Sequence, residues 1–203
     1  MLTIHSEVQG LMASDFVYFL SSLPELAFSR PEQAPAPGDF VADCKARLSP
    51  AEASVVEAVS LRPVPGALRW TGRYKALKSW YDWMTVMLNA QVMWRARRLK
   101  CESAPFLRGE EDAFPGSLKK LSSVLELPEA SQRQDGWEAM QWDRLSDLEA
   151  QHWYDFEKAL LYALKVQLLA ERRRRNREEG TGVMEAVLKA VTDDAERHRT
   201  LLN

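Results

Sequence analysis

The stretch Leu68–Lys100, LRWTGRYKALKSWYDWMTVMLNAQVMWRARRLK, decides how the chain folds. Its apolar residues recur every three or four positions rather than every second one, which is the period of an α-helix. Tyr74, Leu77, Tyr81, Met84 and Leu88 fall on one face, and Trp80, Met87 and Trp94 on a neighbouring one. A helix apolar on more than one stripe is contacted from several sides. The segment therefore reads as a central helix from about residue 73 to residue 100, with Thr71 as its cap. Four of the seven tryptophans lie between Trp70 and Trp94. Each brings a large apolar area and one N–H to satisfy, which suits core packing for most and partner anchoring for any left exposed.

Working outward, a second long helix is expected over about residues 146–178, stopped by Gly180. Phe156, Leu160, Ala163 and Ala170 make one of its faces, and Trp153, Leu161, Leu164 and Leu168 another. Shorter helices flank the two. Ser49-Pro-Ala-Glu52 has the cap, the first-turn proline and the glutamate of a capping box. Gly38-Asp39 can open a helix over Phe40–Leu48, and 182–198 is amphipathic through Val183, Val187, Leu188 and Val191. The aromatic and β-branched content of Phe16–Leu23 would suit a strand, but an isolated strand has nothing to pair with, so a short helix is expected. Proline and glycine place loops at 31–38, 62–66, 103–116 and 132–136. The fold class is all-α, a helical bundle built around two long helices. It forms one domain over 1–203, or two helical lobes joined by the loop 103–116.

Bulk composition narrows the function. With 46% apolar and 28% charged residues the chain resembles an ordinary globular protein. Lys+Arg (27) and Asp+Glu (29) nearly cancel, whereas a protein devoted to nucleic acid carries a basic surplus. The N-terminal residues have neither the basic nor the apolar region of a secretory signal. The longest apolar run, Ala159–Ala170, is interrupted by Lys165 and Gln167 and is too short to span a membrane. Cys44 and Cys101 lack the spacing of a zinc site. These features place the chain in the cytoplasm, peripheral to the inner membrane only through a complex.

Chemistry has few footholds. Glu149-Ala-Gln-His152 has the Glu-x-x-His spacing of di-iron bundles, but those sites need a second pair and two more carboxylates, and His5 and His198 do not follow a glutamate in that way. Asp193-Asp194-Ala-Glu196 lacks the glycine and spacing of a calcium loop. No phosphate loop or nucleophile elbow is present. The expectation is a protein that is not an enzyme and takes no cofactor or metal. A nucleic-acid-binding helical protein and a metal-dependent bundle enzyme are the alternatives.

Arginine is the remaining signal. Arg172, Arg173, Arg174, Arg175 and Arg177 close the second long helix, with Glu171, Glu178 and Glu179 around them, and Arg95, Arg97 and Arg98 close the first. Cations are favoured at helix C-termini by the macrodipole, so a solvated helix end is the plain reading. A docking site for an acidic protein partner is the sharper one. Arg95, next to Trp94 on the inner part of its helix, would need a carboxylate partner if buried.

Three segments resemble one family. They are YFLSSLPEL (Tyr18–Leu26), the Trp-aromatic helix leading to Arg95-Ala96, and FEKALLYALKVQLLAER (Phe156–Arg172). An uncharacterised bacterial family encoded among the genes of V/A-type rotary ATPases has similar signatures, and is distantly similar to the C/d subunit between rotor stalk and membrane ring. The resemblance implies an all-α, non-catalytic accessory subunit or assembly factor. It would bind other ATPase subunits on the stalk or ring side, with no nucleic acid and with membrane contact only through partners. Where the family has an Asn-Leu-Arg-Asn-like run, this chain has Met87-Leu-Asn-Ala-Gln91, so a polar contact expected there is altered or lost.

Overall fold

The computed structural model describes residues 16–108 and 114–177, and among these the regular structure is entirely helical. In chain order the helices are α1 (16–22), α2 (Pro37–Arg47), α3 (Pro50–Ala58), α4 (Pro65–Leu68), α5 (Lys75–Leu99), α6 (Pro115–Leu125), α7 (Ala130–Glu149) and α8 (156–177). Short 3-10 turns lie at Pro31–Gln33 and Ala104–Phe106. The expected helix at 182–198, its acidic cluster and the stop at Gly180 lie outside the described residues.

Local chemistry explains most of the helix starts. Ser49 accepts from the Glu52 amide while the Glu52 carboxylate accepts from the Ser49 amide, so the expected capping box opens α3. Proline occupies the first turn of α2, α3, α4 and α6, where its missing N–H removes no helical bond. The expected caps Asp39 and Thr71 do not act. Pro37 starts α2 one turn earlier, and the Thr71 hydroxyl donates back to the Leu68 carbonyl. The cap of α5 comes instead from Glu157 in the first turn of α8, whose carboxylate accepts from the Lys75 amide at 3.3 Å and from the Ala76 amide. At its other end α5 closes with Lys100 in the left-handed region (φ 54°), as the Cys101 amide bonds the Ala96 carbonyl at 3.0 Å.

Two sequence expectations are corrected. The second long helix is not continuous over 146–178. α7 ends at Glu149 and α8 begins after Asp155, whose carboxylate caps it by accepting from the Lys158 amide at 3.0 Å. Trp153, assigned to a buried face of that helix, sits in the intervening turn, 72% exposed beside exposed Tyr154. The expected loop at 132–136 is helix instead. Gly136 is there because α6 crosses so closely that a Cβ on it would meet Val124 Cγ1 at 2.8 Å.

The core centres on α5 and α8. Leu77, Trp80, Tyr81, Trp83, Met84 and Met87 of α5 are buried, as is every residue from 159 to 166 in α8. A helix buried on all sides is the consequence of the two-stripe pattern. Trp83 stacks on Trp80 (ring centroids 5.4 Å) and Trp137 (5.6 Å). Buried apolar residues from each of α1–α8, including Leu121 of α6 and Met140 of α7, belong to one cluster that extends on both sides of 103–116.

Candidate functional site

The signature-like residues of α8 are fasteners. Tyr162 donates to the Pro24 carbonyl at 3.0 Å, which ties the Tyr18–Leu26 segment to the core. Gln167 clamps the strap after α3 with both ends of its amide, donating to the Val59 carbonyl at 2.9 Å and accepting from the Leu61 amide at 3.2 Å. From α5, Trp80 Nε1 donates to the Leu61 carbonyl and the Tyr81 hydroxyl to the Ser60 carbonyl. Lys165, buried, pairs with Glu149 and lies 4.6 Å over the Trp142 ring. Burial by itself would push the Glu149 carboxyl up. The hydrogen bonds and charges of Lys158 and Lys165 outweigh it and hold the carboxyl below its ordinary value.

The Glu149/His152 pair is thereby divided. Glu149 is held by the two lysines, and His152 Nδ1 contacts Asp155 Oδ2 at 2.6 Å. No group of three His, Cys, Asp or Glu side chains able to hold a metal ion occurs among the described residues. Burial pushes the Cys44 thiol up to about 12, so it stays protonated. One polar residue of Met87–Gln91 is engaged within the chain. Buried Asn89 donates to the Arg108 carbonyl at 2.7 Å and accepts from the Arg108 amide at 3.0 Å, fixing the chain after α5.

The two arginine groups have different surroundings. In α8, Arg172 Nη1 donates to Asp135 Oδ1 at 2.8 Å and to Glu138 Oε2 at 2.6 Å. Arg175 Nη2 reaches the same two oxygens at 2.6 and 3.0 Å. Glu138 is buried, and Phe28 stacks under Arg172 at 4.4 Å. Arg173 donates to the Ala34 carbonyl at 3.1 Å. The plain reading of this block as a solvated helix end is corrected for these three, which are half-buried, while Arg174 and Arg177 are exposed. Burial alone would raise the Asp135 carboxyl, but hydrogen bonds and charge from Arg172 and Arg175 outweigh it and hold it below its ordinary value.

In α5 the arrangement is open. Arg95, Arg97, Arg98 and Lys100 are exposed and make no ion pair among the described residues. Arg95 is therefore not the inward-facing residue that its position beside Trp94 suggested. Arg98 lies 4.6 Å over the Trp94 ring, and Trp94 Nε1 donates to Glu126 at 3.1 Å. Leu99 is 76% exposed in the same turn. Arg97 lines a groove of about 310 Å³ between α5 and α6, walled also by Met93, Trp94, Leu118 and Leu125. An apolar groove with a cation in its wall can accept an amphipathic segment that carries a carboxylate along one edge.

Comparison with protein-family models, curated proteins and solved structures finds no match to this chain. No described helix is long and apolar enough to cross a membrane.

Proposed function

We propose that this chain is a non-catalytic accessory subunit or assembly factor of a bacterial V/A-type rotary ATPase, acting by binding another subunit. The family resemblance of Tyr18–Leu26, Leu68–Lys100 and Phe156–Arg172 supports this reading. So does the way those segments fasten to one another through Tyr162 and Glu157. The bundle centred on α5 and α8 is part of the same reading, with its surface rather than an interior cleft as the working part.

The observation that carries the reading is the end of α5. Arg95, Arg97 and Arg98 are exposed with Leu99, and Arg97 lines an apolar groove. Exposed cations give orientation and association rate, and an apolar groove gives affinity. The partner segment is accordingly an acidic, amphipathic helix or loop on the stalk or membrane-ring side. Of the arginines first considered for docking, Arg172, Arg173 and Arg175 hold internal contacts, so the α5 group is the better candidate.

The test is a tagged pull-down from native membranes at moderate salt, comparing the wild type with an Arg95→Glu/Arg97→Glu/Arg98→Glu variant. The proposal expects ATPase subunits to be recovered by the wild type and lost by the variant, with helical content unchanged. Recovery of none by either protein contradicts it. Recovery of nucleic acid instead, with steep salt dependence, would establish the alternative binding class.

A further inference from the structure

Two straps lie against α5, and side chains from the core pin each of them. In the strap after α3, the Leu61 carbonyl accepts from Trp80 and the Leu61 amide donates to Gln167. In the strap after α5, buried Asn89 holds the Arg108 backbone at both its amide and its carbonyl. Between the straps is a cavity of about 320 Å³. Thr85, Leu88, Asn89 and Val92 line it from one face of α5, at the i, i+3, i+4 and i+7 spacing of a helix. Arg62, Pro63 and Val64 line it from one strap, and Phe106 and Arg108 from the other. The groove walled by Met93, Trp94 and Arg97 belongs to a different face of the helix.

The lining selects by charge. Arg62 and Arg108 are exposed, and neither side chain makes an ion pair, hydrogen bond or ring contact among the described residues. Both guanidinia are therefore open to a ligand. No carboxylate lines the cavity. Cavity cations elsewhere are met by acids, Lys120 by Asp143, and Lys158 and Lys165 by Glu149. The other two polar side chains are engaged within the chain. The Thr85 hydroxyl donates to the Tyr81 carbonyl at 2.8 Å, and Asn89 uses both ends of its amide on Arg108. The rest of the wall is apolar, and within it Val64 and Phe106 keep 40% and 65% of their surface exposed. Covering such surface is favourable for a ligand with an apolar body.

We propose that this cavity binds an aromatic monocarboxylate, its ring against Phe106, Leu88 and Val92 and its carboxylate on the Arg62 and Arg108 guanidinia. A planar guanidinium meets a carboxylate with two parallel N–H donors. An aromatic wall favours a ring over an aliphatic chain of the same area. A bare inorganic anion would leave the apolar wall wet, and a neutral hydrocarbon would use neither guanidinium. The site does not rest on the subunit-binding reading.

The experiment titrates the full chain, ¹³C-labelled at its methyl groups, with cinnamate and in parallel with cinnamamide, a neutral analogue of the same shape. Cinnamate is expected to give saturable NMR shifts at the Val64, Leu88 and Val92 methyls. Arg62→Gln and Arg108→Gln should each weaken it roughly tenfold, since one charge-assisted contact is lost. Arg97→Gln, outside the cavity, should leave it unchanged. Both lining arginines are exposed, so the variants should keep wild-type helical content, which circular dichroism checks. Linear, unsaturable shifts, saturation mapped to another surface, or equal affinity for cinnamamide would each overturn the proposal. So would an affinity that neither Arg62→Gln nor Arg108→Gln moves.

Discussion

Arg95, Arg97 and Arg98 end one long helix, and Arg172, Arg173 and Arg175 end another, yet the two groups do opposite things. At the end of α8 the guanidinia turn inward onto Asp135 and Glu138 and onto the Ala34 carbonyl. At the end of α5 they face solvent, Arg97 in the wall of a groove. Composition is alike in the two places. What differs is whether a neighbouring helix presents carboxylates at the right height. A buried arginine fixes how helices sit on one another, whereas an exposed one is available to something else.

The sharpest way to break this contrast is at Glu138, which is buried between two guanidinia. Glu138→Ala leaves Arg172 and Arg175 sharing Asp135 alone and should cost about 3 kcal/mol in a urea unfolding curve. Arg97→Ala should stay within about 0.5 kcal/mol. A second test lies on the α6–α7 crossing that connects the two regions. Gly136→Ala puts a Cβ against Val124 and should cost about 1–3 kcal/mol unless the helices slide apart, which a crystal structure of the variant would reveal.

Acid sharpens the comparison differently. Asp135 and Glu149 have folded-state carboxyls held below their ordinary values of 3.8 and 4.5. Their contribution is fully present above those values and is lost as pH falls through the lower folded ones. Thermal melts should therefore be flat with respect to these groups near neutrality and fall in acid. Arg175→Gln should flatten the part of that fall due to Asp135. The smallest effect is expected at the open end. Lys100 adopts φ 54°, which glycine tolerates freely, so Lys100→Gly should stabilise by about 0.5–1 kcal/mol in the same melts.

The sequence could show some of this and not the rest. The Ser49–Glu52 box and the buried period of α5 are local, and both are readable within a few residues. The break before α8 was signalled only by Asp155, a cap residue in a stretch without glycine or proline. The cap of α5 by Glu157 joins residues about eighty positions apart, which no local pattern reveals. One misreading hid another. Taking Gly136 as a loop marker removed the helix that sets Asp135 and Glu138 three residues apart on one face. Without that face the α8 arginines had no visible partners and looked solvated. The free end of α5, by contrast, was already a docking candidate, and only the inward placing of Arg95 was mistaken.

One arginine group holds helices together while the other faces solvent. Paired charge reversals measured by urea unfolding test it most directly. Arg172→Glu/Arg175→Glu should abolish the cooperative transition or lower its midpoint severely. Arg95→Glu/Arg97→Glu should leave it within about 1 kcal/mol of the wild type, the residual being the lost macrodipole match. Equal losses in the two variants, or a larger one at the α5 end, would contradict the division of roles.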